Sequence, residues 1–505
     1  MKKIAIILFS ACGLIGLNAC DSGFDEMNVN KTAAVAINPV FALNNAIINT
    51  TPPTGTVIYE MGIVQQIVSP NSGVLTGANF NQDNRDNTQQ IWQRYYRSVI
   101  RNTYDVITTT KDPARTNLVN MAKILQSYAF LVLTDSYGDI PYTEAAKGYT
   151  NQVVYPKYDK QQVVYTGIIK DISDAVAALD AAKTRENADV LFGGDVVKWR
   201  RFGNSLLLRI GLRLAKVDAA QAQSLVAKAV AGGVITTNAD NVVIRHDANY
   251  LNSIGQLLNA TEANNFYLAA PFVDHLKKTN DPRLRSISVR YVGATSGTQQ
   301  TAARGVVDPA VQIGMPFGFD NSSISGPVKA LGLASFYDFS QADRTRLNKT
   351  TAPAYLLTAS QTNLLVAEAI TRGWVTGNAK DFYEAGVRAH MNQLGEMDAN
   401  SSVATSVVDA YLAANPFNSA TALEQINTQY WISSFLNGPE AFANFRRTGF
   451  PKLAPNPFSG KAIKGDFINR LTYPNSEISV NSVNVKAAIA NQGADDLDTK
   501  VWWHK

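Results

Sequence analysis

Four histidines, His246, His275, His390 and His504, are the only imidazoles in the chain. They lie far apart and show none of the close spacing by which a helix or loop presents metal ligands. The run DDLDT at 495–499 alternates carboxylates as calcium loops do. It lacks the glycine and the closing glutamate of such a loop and reads as a solvated acidic segment. No GxSxG elbow, Walker loop or GxGxxG turn occurs. Asp and Glu number 41, so a carboxylate pair for glycoside hydrolysis could be assembled, but no spacing marks one out. The expectation is a protein without catalysis, metal or cofactor.

The side chains suited to recognition are more informative. Residues 73–96, GVLTGANFNQDNRDNTQQIWQRYY, interleave amides with Phe80, Arg85, Trp92, Tyr95 and Tyr96. Flat rings stack on the C–H faces of sugars or on peptide groups, and Asn, Gln, Asp and Arg bond their polar edges. Asn79, Phe80 and Arg85 fall in a stretch of weak periodicity and are surface candidates. Trp92 and Tyr96, at i and i+4, share a helical face that can equally look into a core. Tyr250, Phe266, Tyr267, Phe317 and Phe319 add aromatics from a region rich in Gly, Pro, Asn, Ser and Thr. Sugars and peptides both fit this set.

Composition narrows the classes. The formal charge is +5 over 505 residues, with no basic block, which argues against nucleic acid. Charged residues make up 17%, below the roughly 25% usual for soluble proteins. At the N-terminus, Lys2 and Lys3 precede the apolar run IAIILFSACGLIGL, which has the length of a signal-peptide core. Leu17-Asn18-Ala19-Cys20 resembles a bacterial lipobox, and implies cleavage before Cys20 and lipidation of its sulfur. Cys12 would leave with residues 1–19. The mature chain would then have neither a disulfide nor a thiol nucleophile. Residues 20–35 are polar and read as the lipidated tether, leaving 36–505 as the folded domain.

Helical periodicity dominates that domain. Over 114–133 the apolar positions Leu118, Met121, Ala122, Leu125, Ala129 and Val132 recur at helical spacing. A second stripe runs through 159–180, and 198–215 is apolar on nearly every side except for Arg209 and Arg213, as in a helix buried among others. Residues 360–374 and 379–395 read as two helices joined by VTGN. Ala367, Ala369, Gly373, Ala379 and Ala385 would permit close approach, and with Tyr383 the unit is similar to a tetratricopeptide repeat. Between about 238 and 358 the periodicity fades into a loop-rich insert, the kind of region where binding residues collect.

Seven motifs in order carry a wider resemblance. They are TDSYGDIPYTEA at 134–145, YPKYDKQQVVYTGIIKDISDA at 155–175, GDVVKWRRFGNSLLLRIGLRLA at 194–215, NDPRL at 280–284, LLVAEAITRGW at 364–374, NGPEAFANFRRTGFPKL at 437–453 and NRLTYPNSEISVN at 469–481. With the lipobox ahead of them, the chain resembles the SusD/RagB family of nutrient-binding outer-membrane lipoproteins over essentially its whole mature length. The resemblance implies a mainly α fold, with a tetratricopeptide-type helical-repeat scaffold and a loop-rich ligand-binding portion. It implies a lipid-anchored protein on the outer membrane facing the cell exterior, to which the acidic residues Asp21, Asp25 and Glu26 would contribute. It also implies a SusC-like TonB-dependent β-barrel partner, over which the protein acts as a lid that delivers an oligosaccharide or peptide. Residues 73–96 broadly match the region that supplies ligand contacts in starch-binding members. A surface adhesin or assembly protein of related fold, without an imported ligand, is the competing reading. Asp139, Arg446 and Arg447 are expected to be structural, and Trp502 and Trp503 to dock the chain end.

Overall fold

The computed structural model describes residues 38–70, 76–259 and 266–505, so Cys20 and the tether lie outside the described residues. Pro39–Lys505 forms one compact unit. Helices α1 (Pro39–Asn49) and α2 (Thr54–Ile63) lead to the short strand β1 (Ile67–Val68). Then α3 (Arg85–Arg94) continues through a π-helical segment, Tyr95–Ile100, into α4 (Arg101–Thr109).

The periodic segments become α5 (Thr116–Tyr137), α6 (Gln161–Ala178), α7 (Val196–Arg213) and α8 (Ala219–Ala231). Each packs beside its neighbour in sequence. Asp195 and Asp218 accept the first free amides of α7 and α8, the usual way an exposed helix start is satisfied. α5 runs to Tyr137, past the last residue of its apolar stripe, because the buried Thr134, Asp135 and Ser136 add one more helical turn.

The loop-rich span carries all but one of the described strands: β2 (Val242–Ile244), β3 (Tyr267–Leu268), β4 (Ser288–Tyr291), β5 (Gly305–Val306), β6 (Gln341–Ala342) and β7 (Ala354–Leu357). They form three small sheets, β1–β3, β2–β7 and β5–β4–β6, all antiparallel.

The chain then returns to helices: α9 (Ala359–Thr371), α10 (Ala379–Met397), α11 (Ala422–Ser433), α12 (Gly438–Thr448) and α13 (Ser482–Gln492). A capping box between Thr358 and Gln361 starts α9. α9 and α10 approach so closely that a Cβ on Gly386 would lie 2.7 Å from Leu364 Cγ. α9 packs on α7 and α11, and α12 packs on α11 and α2, so the second helical block closes onto the first.

Buried charges staple the blocks together. Arg213 pairs with Glu440 at 2.7 Å and with Asp135 at 3.3 Å, and Arg209 reaches Glu440 at 3.2 Å. Arg447 grips Glu368 with two bonds, 2.6 and 2.7 Å. Burial alone would raise the Glu368 carboxyl, but Arg447, with help from Arg372 and Asn427, holds it down at about 2. Arg446 donates to the carbonyls of Asp135 and Asn469 and lies 3.7 Å from the Phe442 ring centre. Both arginines of the RRTGFP motif are therefore consumed internally. Among the described residues no helix is long and apolar enough to cross a membrane.

Candidate ligand-binding face

The β1–β3 ribbon organises the region of interest. Ile67 pairs with Leu268 and Val68 with Tyr267. Val68 and Tyr267 pack into an apolar cluster with Met315, Phe317, Ile324, Leu333 and Phe339. Half-buried Phe319 and Phe336 lean on this cluster from outside.

A tight turn puts Phe336 beside Tyr337. Ser335 Oγ accepts from Tyr337 N and donates to Ala294 O. The buried Asp338 carboxylate accepts from Arg290 Nε, Gly293 N and Ala334 N at 3.0, 3.0 and 3.2 Å. Arg290 is held in turn by the carbonyls of Asp338 and Val311. A turn with this many bonds has little freedom, so the two rings are presented pre-ordered, 4.1 Å apart between centres and inclined by 30°. Tyr267 meets Phe336 edge-on from below at 6.2 Å. Burial pushes the Tyr267 hydroxyl well above the ordinary tyrosine range, so it stays neutral. Gln300 donates to the Tyr337 carbonyl, while its Oε1 and the Nε2 of Gln341 are buried with no hydrogen-bond partner among the described residues.

Asn79 joins three segments at the edge of this face. Its Nδ2 donates to the carbonyls of Ser69 and Phe319, and its own carbonyl accepts from Asn456 Nδ2 at 2.6 Å. Next to it Phe80 and Phe458 pack at 4.5 Å, with the Phe458 ring half-exposed. The face thus offers Phe319 and Phe336 from the Val68–Tyr267 cluster, Tyr337 from the neighbouring Val289–Tyr291–Ala294 cluster, and Phe458 beside Phe80.

Several residues expected to touch ligand are placed otherwise, and the expectation is corrected for them. Asn79 is 1% exposed and fully occupied as a tie. Trp92 is 4% exposed, with Tyr96, Tyr137, Tyr158 and Tyr473 around its ring, so no free face remains. Arg85 is neutralised by Asp83 and Asp495 at 2.9 and 3.1 Å and also donates to the Tyr473 carbonyl. Tyr250 stacks on His246 and donates to the Ile48 carbonyl. Phe266 fills a small cluster with Met61, Ile67 and Leu258. Tyr267 and Phe317 are buried, and Phe80 nearly so. Of the expected residues only Phe319 presents a half-exposed ring on this face. Phe336, Tyr337 and Phe458 were missed. Adjacent aromatics between Ser335 and Asp338, two turn-forming residues, are the signal that could have found the first two.

A helical-repeat scaffold that presents ordered aromatic rings on loops is the construction of a binding protein. Residues 30–474 match the SusD-like family described as starch-binding and associating with the outer membrane. The chain belongs to that family. A chitin-binding protein of known structure is 30% identical, with a TM-score of 0.81, covering 93% of this chain and 100% of its own. A SusD-like protein from Bacteroidetes is 26% identical with the same TM-score and the same coverage of both chains. A chitin-binding SusD homolog from Flavobacterium johnsoniae shares the fold at 24% identity and a TM-score of 0.75, covering 92% of this chain and 98% of its own. No curated protein matches.

Proposed function

We propose that this protein is a non-enzymatic glycan-binding lipoprotein that captures an oligosaccharide on the Phe319–Phe336–Tyr337–Phe458 face. It would be anchored through Cys20, face the cell exterior, and pass its ligand to a SusC-like TonB-dependent β-barrel. The observation that carries the reading is the pinned Phe336–Tyr337 pair, which presents ring surface with little left to order on binding. The 30% identity to a chitin-binding protein makes N-acetylglucosamine oligomers the first glycans to try.

The test is calorimetric titration of the mature chain with chitooligosaccharides, starch oligosaccharides and a peptide pool in parallel. A glycan should bind, and Phe336→Ala and Tyr337→Ala should each weaken it at least tenfold without lowering the melting temperature by more than a few degrees. Binding by peptides alone would move the ligand class. Glycan binding indifferent to both variants would remove the face. Copurification of a β-barrel transporter with the tagged lipoprotein tests the delivery role.

A further inference from the structure

A second concavity shares no residue with the aromatic face. Asp139, Lys160, Gln162, Asn491, Trp502 and Lys505 line it, with Gln161 and Gln492 between them. Its volume is about 170 Å³, more than a single water needs and less than the roughly 300–1,000 Å³ of sites for drug-sized ligands.

The TDSYGDIPYTEA motif builds it. α5 ends where Gly138 turns the chain at φ +85°, and a Cβ there would lie 1.7 Å from Gln492 Oε1. Asp139 N then donates to Gln492 Oε1, and Asp139 Oδ1 accepts from Gln161 N at 2.9 Å, opening α6. Asp139 Oδ2 takes no hydrogen bond from the described residues. Arg470, Lys160 and Lys505 act on this carboxylate as nearby positive charges; Arg470 is paired with Asp495, and neither lysine enters an ion pair among the described residues. Gln161 is buried; its Nε2 is held by the Thr134 carbonyl, while its Oε1 has no donor among the described residues.

The two tryptophans divide here. Trp503 is buried and donates to Asp135, as expected of a docking residue. Trp502 is half-exposed in the cleft wall, packed on the main core and meeting the Tyr165 ring edge-on at 5.8 Å.

We infer that this cleft binds a single neutral sugar ring, with hydroxyls bonded to Asp139 and the surrounding amides and the C–H face against Trp502. The charges make the selection. A phosphate or carboxylate would meet Asp139, and an ammonium would meet Lys160 and Lys505. A polyhydroxyl ring can donate to the acid and accept from the lysines and amides together. An indole supplies broad, rigid apolar surface for its C–H face. The inference rests on the reading of the protein as a glycan binder, and the test keeps the two apart.

Saturation-transfer NMR on the mature chain with millimolar glucose, galactose and N-acetylglucosamine is the measurement. At least one should receive saturation. Asn491→Trp, an exposed change that fills the cleft, and Lys160→Ala should each weaken its binding at least tenfold. The transfer should persist in a Phe336→Ala background, which removes whatever share the aromatic face contributes, and both cleft variants are read in that background. Absence of transfer to all three sugars, or transfer unaffected by Asn491→Trp, overturns the inference. Oligosaccharide binding that is lost with Phe336→Ala but indifferent to Asn491→Trp would, in that case, leave the aromatic face standing.

Discussion

Glu60 on α2 is wholly buried; among the described residues it accepts one long hydrogen bond, from Ser136 Oγ at 3.3 Å, and its other oxygen has no partner. Burial is the largest influence on it. Arg446 and Ser136 offset this only in part, and the carboxyl is pushed up to about 8. In the unfolded chain it ionises near the ordinary value of 4.5. The folded form therefore binds the proton more tightly. Its contribution to stability is complete below about pH 4.5, declines as pH rises, and is exhausted above about pH 8. At about 1.4 kcal/mol per unit of pH, the fold loses on the order of 3 kcal/mol from this group by pH 7 and about 5 by pH 8 or above. Glu60→Gln keeps the shape and removes the ionisation. For a unit of this size about 1 kcal/mol corresponds to roughly one degree of melting temperature. The variant should melt about 3 °C above the parent at pH 7, about 5 °C above it at pH 8.5, and within a degree of it at pH 4.5. Differential scanning fluorimetry from pH 4.5 to 9 reads this directly. Parallel melting curves across that range, or a variant less stable than the parent at pH 8.5, would refute the assignment of Glu60 as a buried neutral acid.

Other outcomes follow from the same packing. Arg447→Met removes the two-bond partner of the buried Glu368 carboxylate, leaving Arg372 and Asn427 to hold it, and should destabilise the fold by up to about 3–5 kcal/mol in urea unfolding. Because the Glu368 carboxyl is depressed to about 2, its stabilising contribution is present above about pH 4.5 and is lost as pH falls toward 2; Glu368→Gln should flatten that acid limb in a pH-melting series. Trp92→Ala should cost about 3–5 kcal/mol by emptying a packed aromatic cluster, so any loss of glycan binding in that variant should track a lowered melting temperature. Asp338→Ala should weaken glycan binding several-fold in titration by loosening the turn under Phe336 and Tyr337, without removing either ring.

Much of the scaffold is legible in the chain because the information is local. The stripes over 114–133 and 159–180, the near-continuous apolar run at 198–215 and the alanine-rich hairpin at 360–395 lie within a few residues of where α5, α6, α7, α9 and α10 run. Helical hydrophobic spacing reports on a helix and the face it buries, whatever that face meets. The internal role of Arg446 and Arg447 could also be anticipated, since two arginines at the end of an apolar helix need carbonyls and acids as partners.

Which aromatic rings are displayed could not be read the same way. Trp92 and Phe336 are both large rings near polar residues; helical spacing around the first and turn residues around the second say which element each sits on, not whether its ring ends up covered. Trp92 is enclosed because Tyr137, Tyr158 and Tyr473 converge on it from distant segments. Phe336 is held outward because Asp338 finds Arg290 and Gly293, more than forty positions away in sequence. Periodicity and motif order by themselves determined the helical class and the family. Only the tertiary structure decided which rings remain available to a ligand, because exposure depends on what long-range packing leaves uncovered.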